Sequence, residues 1–186
     1  FIAPYAERLN WISNFSGSAG KAIIMQTTAY IFVDGRYTVQ VQEEVNMHNF
    51  NILPLKDFHK CLETNLKKNN LVGIDPNHHT KKDIESIKKI TNKFDLKIQF
   101  LESNPIDLLW KNQPIKPHSK AFQHDLQYCG KSIEKKISQV KNILQTNQCD
   151  YYVFTALDSI AWLLNLRGND ILYTPLNLAY IIITPN

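Results

Sequence analysis

Apolar positions along the chain fall into two periods. The runs "KAIIMQ" and "AYIFVD" stand about eight residues apart across Thr27-Thr28 and predict the two strands of a hairpin. Asp34-Gly35 then predicts a turn. In "RYTVQVQEEVN", Tyr37, Val41 and Val45 recur every fourth residue, which suits one face of a helix. "FNILPL" reads as a strand. "DFHKCLETNLKKN" places Phe58, Leu62 and Leu66 at helical spacing, with Asp57 positioned to cap the helix. "NLVGID" is a further strand. "TKKDIESIKKITNKF" puts Ile84, Ile87 and Ile90 on one face behind a Thr80–Asp83 capping box. "DLKIQFLE" alternates as a strand, and "NPIDLLW" is a short helix. The order strand, strand, helix, strand, helix, strand, helix, strand predicts an α/β layer. Its mixed β-sheet, flanked by helices, sets one antiparallel hairpin beside crossover units.

The pattern breaks at "KNQPIKPHSKAF", a polar stretch with two prolines that reads as a linker. Beyond it, Ile133, Ile137, Val140 and Leu144 share one face of an amphipathic helix. "DYYVFTA" is a strand, "LDSIAWLLNLRG" a helix or helix-turn closed by Gly168, and "LAYIIITP" the next strand. Near the start, "AERLNWISNFSGSAG" is a short helical or turn segment entering a Gly/Ser-rich bend. Here "NWISNFSG" (10–17) aligns with "AWLLNLRG" (161–168): Trp11 with Trp162, Asn14 with Asn165, Gly17 with Gly168, an apolar strand following each. This repeat predicts two related domains: 1–113, a linker at 114–121, and a second copy from 122 to 186. The chain opens on Phe1 and stops just past a strand pattern, so it is expected to be a piece of a longer protein with the second copy truncated.

Composition narrows the function classes. The 186 residues are 44% hydrophobic and 20% charged, as in ordinary globular chains of one or two domains. The net charge of +4 is mild, and the lysine pairs are interspersed with Asp and Glu, so no basic face for nucleic acid is predicted. No run approaches a membrane span, and no signal peptide opens the chain. Cys61, Cys129 and Cys149 are widely spaced and form no CxxC pair, which excludes a zinc-knuckle pattern and suits a reducing cytoplasm.

No catalytic constellation is visible. The six histidines (His48, His59, His78, His79, His118, His124) form no HExxH and no i, i+4 pair with a carboxylate partner. His78-His79 read as a solvated loop, "GSAG" as a tight bend, and Cys61 as core. Arginine is scarce: Arg8, Arg36 and Arg167 stand in a chain rich in lysine. A planar bidentate donor is one reading of Arg36 and Arg167; a structural ion pair, with Asp34 or Asp158, is the other.

Taken in order, "ERLNWISNFSGSAGKAIIM", "AYIFVDGRYTVQVQ", "NPIDLLW" and "TALDSIAWLLNLRGNDILYTPLNLAYIII" resemble the N-terminal half of the three-domain Xaa-Pro aminopeptidases of the aminopeptidase P type. The resemblance runs across nearly the whole chain. It implies two creatinase-like α/β domains that precede a "pita-bread" catalytic domain. It also implies that the two divalent ions of the family, usually manganese, are held in that third domain, so that this chain alone holds no cofactor and is inactive. An Xaa-Pro peptide substrate and a homodimer follow from the same resemblance, and the scattered thiols already predict a cytoplasmic location. Arg36, in the Asp-Gly-Arg-Tyr motif, is implied to face the substrate, with Tyr37 packed beneath it. A guanidinium there suits a peptide carbonyl or a C-terminal carboxylate. Two other readings remain open: a stand-alone creatinase-like interaction module, and part of a creatinase or prolidase relative with another substrate.

Overall fold

The structure is a computed structural model and describes residues 2–185. The chain divides into two compact units, Glu7–Gln113 and 114–185 with 2–6.

In the first unit, strand β1 (Gly20–Ile24) pairs antiparallel with β2 (Ala29–Val33), from Gly20 opposite Val33 to Ile24 opposite Ala29. The Met25 N–H donates to the Thr28 carbonyl at 2.9 Å and closes the turn. Helix α2 (Gln40–Glu44) then returns the chain to β3 (Phe50–Pro54), which lies parallel to β2. β2 is the middle strand, and its apolar run is buried on both faces. Ile31 and Val33 pack with Phe15, Val41 and Phe50 on one side. Phe32 packs with Phe58, Leu62 and Ile87 on the other. A strand covered on both sides loses the apolar–polar alternation of a half-exposed one.

The Phe32 side of this core also takes in helix α3 (Phe58–Asn65) and a second parallel pair, β4 (Leu71–Ile74) with β5 (Lys97–Phe100), joined by α4 (Lys81–Asn92). The Thr80 capping box forms as expected: its hydroxyl accepts from the Asp83 N–H at 3.1 Å, and Asp83 accepts from the Thr80 N–H at 3.2 Å. The expected Asp57 cap does not form. Thr80 is extended (ψ 158°), which turns its oxygen back to the helix; Asp57 has ψ 0° at the end of a 3-10 turn, Leu55–Asp57. Similarly, the helix expected from Tyr37 is split into a 3-10 turn, Gly35–Tyr37, and the short α2.

α1 (Arg8–Ser13) precedes β1, and α5 (Pro105–Leu109) closes the unit under an Asn104 cap. Trp11 and Trp110 stack beside them at 5.7 Å.

The second unit holds β6 (Phe122–Gln123), α6 (Leu126–Cys129), α7 (Ile133–Thr146), β7 (Tyr152–Phe154), α8 (Leu157–Leu163), β8 (Leu166–Arg167) and β9 (Ile181–Ile183). β7 pairs antiparallel with β9, and β6 with β8. Leu144, Leu163 and Ile183 are its core, with Ile137, Val140 and Phe154 against them. The helix expected to reach Gly168 stops at Leu163, because Asn165 turns left-handed at φ 49°. Asn14 does the same after α1 at φ 64°. In both units, then, a Trp-bearing helix ends on a left-handed Asn, and a glycine follows where a β-carbon would overlap a neighbour. That neighbour is the Phe15 ring at Gly17 and the Asn177 amide at Gly168. The mixed α/β fold is thus present twice.

Candidate functional site

Arg36 stands where β2 leaves the core. Val33 is buried; one residue on, Asp34 is extended and caps the 3-10 turn with one carboxylate oxygen. Asp34 Oδ1 accepts from the Arg36 backbone N–H at 3.1 Å and from Arg36 Nε at 2.8 Å. The guanidinium carbon lies 5.4 Å from the centre of the Tyr37 ring. Tyr37 is itself fixed, edge-on to Phe15 at 5.5 Å and hydrogen bonded from its hydroxyl to Ser18 Oγ at 2.7 Å. The arginine side chain remains 70% exposed. Hydrogen bonding from Arg36 holds the Asp34 carboxyl below the usual range, and the Ser18 contact lowers the Tyr37 phenol. Gly35 has nothing near the place of a β-carbon, so no close approach requires it. Both sequence readings of Arg36 therefore meet in one geometry: an ion pair with Asp34, and a guanidinium presented outward over a fixed tyrosine.

The other two arginines are absorbed into the fold. Arg8 Nε and Nη2 grip Asp107 at 2.7 and 2.9 Å, and Nη1 lies 3.2 Å from His78 Nε2. His78 Nδ1 meets Asp75 Oδ2 at 2.8 Å, and His79 Nδ1 meets the Asp75 carbonyl at 2.8 Å. The expected solvated histidine loop is thus organised around Asp75. Burial pushes the Asp75 carboxyl up, but hydrogen bonds from Asn104, the Asn77 N–H and His78 outweigh it and leave it lowered. The "DPNHH" spelling was the available signal, since Asp before Pro-Asn is an Asx-turn pattern. Arg167 makes no ion pair with Asp158; its Nη1 donates to the carbonyls of Ala161 and Leu166 at 3.1 and 2.8 Å.

Two polar centres of the second unit were not singled out from sequence. Lys136 is 1% exposed, with Nζ donating to the Trp162 carbonyl at 2.6 Å and to Asn165 Oδ1, and lying 4.3 Å from the Trp162 ring centre. Its place three residues after Ile133 and four before Val140, on the apolar face of α7, was the clue in the sequence. Asp170 accepts from the Ser119 N–H at 2.7 Å and from the Leu178 N–H at 2.8 Å, while Asn177 Nδ2 donates to Ser119 Oγ at 3.1 Å. Cys61 is core, as expected, and burial pushes its thiol up. Among the described residues no three His, Cys, Asp or Glu side chains converge on a possible metal position. The described residues do not fit a dinuclear centre. No helix of the described residues is long and apolar enough to cross a membrane.

A doubled α/β unit with a Trp-helix, a left-handed Asn and a tight Gly in each copy defines a class. Residues 1–98 and 112–186 each match a model described as the creatinase/prolidase N-terminal domain, and the chain belongs to that family. Among individual relatives, a protein named probable Xaa-Pro aminopeptidase P from Paracoccidioides lutzii is 37% identical over all of this chain. One of the same name from Ajellomyces dermatitidis is also 37% identical. The chain spans 31% of the length of each. The X-prolyl aminopeptidase of Caenorhabditis elegans, described as a cytosolic enzyme with a di-nuclear active site, superposes with a TM-score of 0.90 at 27% identity. That match covers all of this chain and 31% of the other.

Proposed function

We propose that the chain is the non-catalytic N-terminal region of a metal-dependent aminopeptidase that removes the first residue of Xaa-Pro peptides. The carrying observation is the 37% identity along the whole chain to proteins named Xaa-Pro aminopeptidase P. In this reading the domains divide at 1–113 and 122–186 with a connector at 114–121. The divalent ions, manganese by family likeness, belong to the remainder of the longer protein. The region frames the substrate cleft and supports a homodimer in the cytoplasm. Arg36 binds the substrate: its exposed guanidinium, fixed over Tyr37, is a ready donor to a peptide oxygen.

The test is an assay of the full-length protein on Xaa-Pro peptides. Arg36→Ala should lower kcat/KM about ten- to a hundredfold, the effect of one lost charge-assisted hydrogen bond. The thermal midpoint should hardly move. Arg36→Lys restores the charge without the planar fork and should recover only part. Absence of cleavage by the full-length protein refutes the activity. An unchanged kcat/KM with a lowered midpoint assigns Arg36 to the fold alone.

A further inference from the structure

The Asp34–Arg36 pair carries more than an anchor. Nε, the inner donor of the guanidinium, is occupied by Asp34 Oδ1, and the same oxygen holds the Arg36 backbone N–H. Nη1 and Nη2 take no hydrogen-bond partner among the described residues. Two fixed points on one oxygen, and a tyrosine face below, leave the outer edge as the presented donor. Side-chain freedom is then narrowed before any ligand arrives. The charge also matters. A bare guanidinium favours a carboxylate over a neutral acceptor. This one already has its carboxylate, so an incoming second one would meet Asp34 within a few ångströms, and like charges repel there.

We propose that Asp34 is a positioning and specificity-determining residue. It turns the outer edge of Arg36 toward substrate and cancels its charge, so that the pair takes an uncharged backbone carbonyl of an extended peptide in preference to a terminal carboxylate. This rests on the substrate-binding reading of Arg36. It resolves the choice of acceptor that the sequence left open.

The experiment uses the full-length protein and Ala-Pro peptides of increasing length, each as the free acid and as the C-terminal amide. The readout is the ratio of kcat/KM for acid over amide. Asp34→Asn keeps an oxygen that can cap the turn and hold Nε, but removes the negative charge. It should raise the acid-to-amide ratio about threefold at the peptide length whose end reaches Arg36. That is the size of one unit-charge interaction at such a distance near water, and it grows if the cleft excludes water. Asp34→Ser, a second neutral cap, should move the ratio the same way. In an Arg36→Ala background neither change should move it. A purely structural role for Asp34 scales acid and amide alike and leaves the ratio fixed. If Arg36→Ala lowers kcat/KM but neither Asp34 variant shifts the ratio, the Asp34 assignment is overturned and the Arg36 reading stands. If Arg36→Ala has no effect on kcat/KM, both fall.

Discussion

Gly168→Ala probes the tightest backbone approach in the second unit. Gly168 is outside the left-handed region, so the issue is room alone. A methyl group there would overlap the Asn177 amide. Asn177 can rotate away, but only by giving up its bonds to Ser119 Oγ at 3.1 Å and to the Ser119 carbonyl at 3.3 Å. Each such bond contributes about 0.5–1.5 kcal/mol net, so the substitution should destabilise this unit by about 1–3 kcal/mol. Amide hydrogen exchange in α7 and α8 reports this unit without interference from the other. In an Asn177→Ala background the obstacle is gone, and adding Gly168→Ala should cost less than about 0.5 kcal/mol, because the two sites share one space. Gly35→Ala is the control: nothing lies within 4 Å of its β-carbon position, and stability should stay within about 0.5 kcal/mol. Equal cost of Gly168→Ala in both backgrounds would refute the steric account.

Other outcomes follow from the ion pairs. Lys21 and Thr80 hold the Asp83 carboxyl far below its usual range. Its contribution is therefore complete above the ordinary carboxylate pKa and is lost as pH falls toward the lowered folded value. Asp83→Asn should make acid unfolding of this unit less steep below about pH 4, as followed by circular dichroism; an unchanged slope counts against the assignment. Arg8→Lys keeps the charge but cannot reproduce the two parallel bonds to Asp107, so urea unfolding should show a loss of about 1 kcal/mol in the first unit.

The order of elements was legible because burial imposes its period on the chain. The hairpin and the Thr80 box follow from residues close in sequence, and the parallel return to β3 from the helical spacing that separates two strand patterns. What escaped was settled by distant partners. Arg8 finds Asp107 across 99 residues, and Ser119 finds Asp170 across 51. No local pattern announces such pairs. Backbone detail decided the rest: Asp57 has the right identity for a cap and the wrong ψ, and Asn165 ends a helix that apolar spacing would have continued. At the candidate site, sequence supplied Arg36 and Tyr37. The shared Asp34 oxygen that orients the guanidinium needed coordinates.

Lys136 gives this chain a built-in chemical clock. Acylating reagents consume free amines, and most lysines here stand in solvent. The Lys136 amine is shut behind Trp162 and Asn165, so acylation there must wait until α7 parts from α8. The mass of a single tryptic peptide, followed over time beside those of its exposed neighbours, then counts opening events in the second unit. It does so under native conditions, with no denaturant and no engineered label.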